Sequence, residues 1–285
     1  MSTGGEQAHY YVPQPSPYPV LLSGSLFLMA LGVVLNVDAL GPGNWLLIPG
    51  GLLLVYVVFQ WFNCVIAEGR LGTYQEWEDR SFRLGMLWFI ASEVIFFCAL
   101  FSILFYEREI SVPSLASFSQ RFTPWPGFTG HWPTSGPAGK PFTPMAAWGI
   151  PSINTLLLLS SGGTITWAHG QLKENRRRVA ALGVFLTMVL GLIFLSLQAT
   201  EFYHAYTKLG LTLHSGVYGA TFFLLTGFHG LHVTVGVIML SVILVRLLKG
   251  DFKPGHEFAF EAVSWYWHFV DVVWLLLYVF VYWLQ

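Results

Sequence analysis

The stretch FEAVSWYWHFVDVVWLLLYVFVYW occupies residues 260–283. It is long and apolar enough to cross a bilayer, since a spanning helix needs about 20 mostly apolar residues to cover about 30 Å of hydrocarbon. Glu261, His268 and Asp271 interrupt it, and at 3.6 residues per turn they fall within about 80° of one another on the helix. A charged group at the bilayer centre costs about 2.5–3.5 kcal/mol on insertion scales, so such a stripe is expected to face protein and not lipid. His268 and Asp271, three residues apart, are spaced to pair. The stripe reads equally as a proton path or as a buried structural network.

Working outward, six more segments meet the same test, at about 20–37, 46–66, 84–105, 147–169, 179–201 and 216–248. The first is short; the sixth is long enough to tilt or to project beyond the bilayer. The expected fold is therefore all-α: one integral membrane domain over 1–285, a seven-helix bundle. Composition agrees, with 54% apolar and only 10% charged residues, well below the quarter typical of soluble domains. Aromatics reach 17%, as suits a chain whose Trp and Tyr gather at headgroup level. A net charge of −1 argues against nucleic acid as a partner. Cys64 and Cys98 each sit in an apolar run and are expected to be packed thiols. The N-terminus has neither a basic and apolar signal pattern nor an Arg-rich presequence, so no cleaved signal is expected.

Loop charge sets the expected orientation. With the N-terminus inside, inner loops carry Arg70, Arg80, Arg83, Lys173, Arg176, Arg177, Arg178, Arg246, Lys249 and Lys253, against Arg108, Arg121, Lys140 and Lys208 outside. That asymmetry places the N-terminus inside and the C-terminus outside. The basic 170–178 loop reads as a topology anchor before a lipid-specific site. The outer loop 107–145 is rich in Pro, Gly and Trp. Its Phe118, Phe122, Trp125, Phe128 and Trp132 suggest an ordered cap or docking surface.

Ionisable groups within the spans are the candidate site. Glu93 lies in LWFIASEVIFFCALF, about 13 Å into the third helix at 1.5 Å per residue, with no cation within one turn. Its carboxyl is expected to be neutral or to titrate near neutrality; the readings are a proton-exchanging or lipid-contacting group, or a structural hydrogen bond. In TGFHGLHVTVG, His229 and His232 lie about 60° apart on one face. They read as haem or copper ligands, or as hydrogen-bonding groups at an interface that Gly227, Gly230 and Gly236 let close. Glu201 and His204 make one Glu-x-x-His at the end of the fifth helix. A di-iron bundle needs two such motifs and further helical Glu residues, which the chain does not supply convincingly.

Five blocks carry a resemblance to a known family: RLGMLWFIASEVIFF (83–97), INTLLLLSSGGTITWAH (153–169), LQATEFY (197–203), FHGLHV (228–233) and EAVSWYWHFVDVVWLLLYVFVYW (261–283). With HYYVPQPSPYP near the start, they resemble subunit III of haem-copper cytochrome c oxidases, in order and over almost the whole chain. The resemblance implies a lipid-filled cleft separating the first two helices from the other five, and no metal or other cofactor in this chain. It implies packing against subunit I, which holds the haems and one copper, with subunit II holding the other copper and taking electrons from cytochrome c. It recasts His229 and His232 as packing residues. It implies that Glu93 is the family's carbodiimide-reactive carboxylate, supporting proton uptake and protecting subunit I from inactivation. Glu68 and Arg246 match positions near phospholipid headgroups. Trp61 matches a lipid-contacting position, though Phe62 stands where animal members usually have a second Trp.

The expected function is thus a core subunit without a redox centre in a proton-pumping terminal oxidase. The outer loop, longer than in animal members, points to a bacterial inner membrane, with the mitochondrial inner membrane as the alternative. Two other readings are kept. A quinol oxidase subunit typically lacks the first two helices, which are present here. A stand-alone proton channel or transporter using Glu93, Glu261, His268 and Asp271 would be expected to show repeats and broken helices.

Overall fold

The computed structural model describes residues 15–38, 41–71, 74, 76–117, 125, 128–252 and 257–284. Most of the N-terminal HYYVPQPSPYP, together with Phe118, Arg121, Phe122 and Lys253, lies outside them. Among the described residues the chain is all-helical, with seven long helices. It divides into two compact units, Met1–Trp77 and Glu78–Gln285.

The first unit is a helical hairpin of α1 (Tyr18–Val37) and α2 (Asn44–Leu71). Small residues set its spacing. A Cβ on Gly32 would sit 2.8 Å from Gly43 O, and one on Gly50 3.0 Å from Met29 Cγ. Such close backbone approach is how helices gain dispersion contacts where lipid removes the hydrophobic driving force. Asn36 Nδ2 donates to Asn44 Oδ1 at 3.0 Å across the turn.

The second unit holds α3 (Glu76–Tyr106) from Glu78 onward, α5 (Ile150–Lys173), α6 (Arg177–His204), α7 (Gly216–Lys249) and α8 (Phe258–Leu277). A π-helical turn at Glu107–Ser111 carries α3 into the short α4 (Val112–Ser117). The segment read as outer loop therefore begins as helix. Its later part packs as a cap: Phe142 stacks on Tyr218 at 5.1 Å, Trp132 meets the same ring at 5.5 Å, and Thr143 N donates to Leu209 O at 3.0 Å.

Among the described residues, six helices are long and apolar enough to cross a membrane. The remaining long helix, α5, is diluted by Ser160, Ser161, Gly162, Gly163, Thr164 and Thr166. Several of these face the interior. Ser161 Oγ accepts the indole N–H of the fully buried Trp267 at 2.8 Å. Trp267 is gripped by two glycines, since a Cβ on Gly191 (α6) or Gly236 (α7) would stand 2.7 or 2.8 Å from its ring. Trp274 Nε1 donates to Thr155 Oγ1 at 2.9 Å. Large apolar side chains such as Trp88 and Leu156 remain exposed, as expected of faces that meet lipid. Cys64 and Cys98 are free and exposed on such faces. That corrects the expectation of packed thiols: an apolar run marks a lipid-facing surface as readily as a core.

Candidate functional site

Glu93 projects from α3 into contact with α7. His232 Nε2 lies 2.9 Å from Glu93 Oε2, with side-chain exposures of 12% for His232 and 22% for Glu93. His232 Nδ1 lies 2.7 Å from Phe228 O, one turn back. A carbonyl only accepts, so Nδ1 carries a hydrogen. One proton is then left for the contact between Nε2 and Oε2: either the imidazole is protonated and the carboxylate bare, or the imidazole is neutral and accepts from the carboxylic acid. In both cases the pair has no net charge, which is how a carboxyl among apolar groups escapes most of the cost of burial. Aromatic rings fix the imidazole. Phe97 meets it edge-on at 5.1 Å, Phe96 and Tyr266 lie parallel at 6.3 and 6.4 Å, and Phe269 stands at 6.2 Å.

His229, one turn away on α7, does something different. It is fully buried, and its Nε2 donates to Val270 O on α8 at 3.2 Å. Phe194 and Trp274 close around the ring at 5.6 and 5.2 Å. The two histidines thus serve different neighbours and do not converge on a common centre. Of the glycines near them only Gly236 lies at a close approach. Nothing lies within 4 Å of a Cβ built on Gly227 or Gly230, which corrects the expectation for those two.

The polar stripe of α8 splits. Glu261, near the start of the helix, takes an ion pair and hydrogen bond from Arg83 of α3 and lies 3.5 Å from His169 Nε2 of α5. Arg83 also binds Asp79 at 2.7 Å and lies over the Phe258 ring at 5.6 Å. About two turns further along the stripe, His268 Nδ1 lies 3.6 Å from Asp271 Oδ2. His268 Nε2 donates at 3.1 Å to Thr166 Oγ1, which itself donates to Gly162 O at 2.9 Å. Asp271 is buried over Gly162, where a Cβ would meet its Oδ2 at 2.4 Å. His268 is 43% exposed at its side chain and so is not a buried member of the stripe.

Glu201 is buried at the far end of α6, while His204 is exposed. The Glu-x-x-His pair therefore diverges. No group of three or more His, Cys, Asp or Glu side chains is gathered as metal ligands would be, among the described residues.

A family model for cytochrome c oxidase subunit III matches residues 8–285. The chain belongs to the cytochrome c oxidase subunit III family. Subunit III of the carp Cyprinus carpio is 40% identical over 279 residues, covering 97% of this chain and 98% of its own. That of the coelacanth Latimeria chalumnae is 41% identical over 280 residues, with the same coverages. That of the red alga Chondrus crispus is 39% identical, covering 96% and 93%. As a member of the subunit III family the chain is part of cytochrome c oxidase, an oxidoreductase complex of the haem-copper type, and it is a multi-pass membrane protein.

The three residues expected from sequence to meet lipid fall on both units. In the first, Trp61 stacks on Tyr18 at 6.1 Å. Glu68 Oε2 accepts from Tyr74 OH at 2.5 Å, and Cys64 Sγ lies 3.6 Å from its Oε1. In the second, Arg246 lies in the last turn of α7, 3.8 Å from Asp251 and with its guanidinium 4.8 Å from the Phe252 ring centre. Three partners were not singled out from sequence: Arg83 and His169 for Glu261, and Thr166 for His268. Arg83 was counted as a loop cation. The available signal was its place one turn beyond Asp79, at the entry to a span.

Proposed function

We propose that this chain acts in its oxidase as a subunit without a redox centre that stabilises subunit I, binds structural phospholipids and supports proton uptake. The haems and coppers lie in partner subunits I and II, cytochrome c supplies electrons to the complex, and oxygen is reduced to water. The observation that carries the proton role is the contact between Glu93 and His232: a carboxyl and an imidazole sharing one proton inside a membrane-spanning bundle. Such a pair can take up and release a proton with little change in surrounding structure, because its partners are already placed. Trp61 and Glu68 on the first unit and Arg246 on the second are proposed as phospholipid contacts, the guanidinium being suited to a phosphate. The membrane is proposed to be a bacterial inner membrane, on the length of the 107–145 segment, with the mitochondrial inner membrane as the alternative.

The test is gentle detergent extraction followed by visible spectra of the intact complex and of this chain separated from it. Haem absorbance should follow the complex and be absent from the separated chain. Copurification of a copper-bearing subunit II distinguishes a cytochrome c oxidase from a quinol oxidase. Proton flux through the purified chain alone in liposomes would instead support a stand-alone channel and reject the reading.

A further inference from the structure

At the end of the second unit farthest from Arg83 and Glu261, five side chains gather their polar atoms. They are Asn154 of α5, Gln198 and Glu201 of α6, Tyr218 of α7, and Tyr282 of the π-helical segment that ends α8. All five are at most 4% exposed. Asn154 lies 15 residues along α5 from His169, the neighbour of Glu261, about 22 Å at 1.5 Å per residue, so the two polar groups occupy opposite ends of the bundle. The Tyr282 hydroxyl neighbours Glu201, Gln198 and Tyr218. The Tyr218 hydroxyl faces the Met145 backbone, yet none of these contacts forms a well-aligned hydrogen bond, and the Glu201 oxygens, Gln198 Nε2, Asn154 Oδ1 and both tyrosine hydroxyls keep bonding capacity unmet by well-aligned partners. Within the group Asn154 Nδ2 donates to Gln198 Oε1 at 3.4 Å.

Beyond the Met145 backbone, aromatic rings line the site. Phe222 and Trp274 pack on Tyr282 at 5.6 and 5.9 Å, and Trp132 and Phe142 close over Tyr218. Buried polar atoms left without a well-aligned partner are costly. So many at one point, contributed by four helical segments, mark a place where small polar molecules complete the bonding. The chemistry of the set identifies them. Gln198 Nε2 and the hydroxyls donate, while Asn154 Oδ1 and the carboxyl accept. A metal cation needs acceptors only, and an anion would face the carboxyl. Water both donates and accepts.

We propose that Asn154, Gln198, Glu201, Tyr218 and Tyr282 form an internal hydration site, in which bound water bridges a neutral Glu201 carboxylic acid to the amides and tyrosines. The titratable groups facing Glu201 are Tyr218 and Tyr282, neither of which supplies a positive charge. In the proposed site Glu201 exchanges its proton with bound water, apart from the Glu93–His232 pair.

The test uses the intact oxidase complex. Infrared difference spectra on H2O/D2O exchange should show a hydrogen-bonded carboxylic acid carbonyl band that shifts in D2O and is absent in Glu201→Gln. Tyr282→Phe, which keeps the acid, should move the band to higher frequency without abolishing it. A map of the complex resolving ordered water should show it within hydrogen-bond distance of Glu201 and Gln198. A carboxylate signature at Glu201, a band that Tyr282→Phe leaves in place, direct side-chain bonds with no water, or a bound ion at coordination distances of about 2.0–2.6 Å would each overturn the proposal.

Discussion

Glu93 of α3 and His232 of α7, 139 residues apart in sequence, meet through Oε2 and Nε2 at 2.9 Å. The contact gives the carboxyl a partner that no residue of its own helix supplies. It also ties α3 to α7 at a point where both are otherwise lined by aromatic rings.

Because the two groups share one proton, their substitutions should not add. Glu93→Gln is expected to leave assembly intact and lower proton-coupled turnover modestly. His232→Phe should destabilise the purified complex by about 1–3 kcal/mol, since it strips a half-buried carboxyl of its partner. The double variant should cost less than the sum by about 0.5–3 kcal/mol. Thermal denaturation of all four proteins measures this cycle. Strict additivity would show that the pair is not coupled, and unchanged turnover, pumping and inactivation in Glu93→Gln would make Glu93 structural only.

Arg83 and Glu261 join α3 to α8 at one end of the unit. Arg83→Gln leaves Glu261, at 14% side-chain exposure, with His169 alone. A loss of about 1–3 kcal/mol is expected, with Glu261→Gln partly restoring it by removing the uncompensated charge. Yield of assembled complex and protease sensitivity should follow the same order. An Arg83→Gln complex as robust as wild type would show the ion pair to be incidental.

Two glycines of α7 make a matched comparison. A Cβ on Gly236 would stand 2.8 Å from the buried Trp267 ring, whereas one on Gly230 meets nothing within 4 Å. Gly236→Ala should therefore cost about 1–3 kcal/mol through overpacking. Gly230→Ala should be neutral or slightly stabilising, since alanine is the better helix former by about 1 kcal/mol. Equal melting temperatures for the two variants would contradict the packing of Trp267.

Arg246→Ala should reduce the phospholipid retained by the complex, as counted by native mass spectrometry after mild detergent exchange. Arg246→Lys keeps a positive charge but not the planar fork, so it should restore retention only in part. An unchanged lipid count in Arg246→Ala would assign Arg246 to contacts within the chain, such as those with Asp251 and Phe252.

Much of the fold could be read without coordinates, because bilayer thickness imposes a length and an apolar composition on every span. The same cost of burying charge flagged Glu93, Glu201, Glu261 and Asp271 as exceptional, and blocks such as FHGLHV carried the family. The pairing of His268 with Asp271 was also accessible, since three residues along a helix bring side chains together.

Tertiary structure decided which polar groups satisfy one another. Glu261 turned to Arg83 and His169 and His232 to Glu93, while Glu201 came to lie beside Tyr218 of α7 and Tyr282 at the end of α8. Helical periodicity states which face a side chain occupies but not which helix lies opposite, because that depends on how rings and glycines such as Trp267, Gly191 and Gly236 interlock across the bundle.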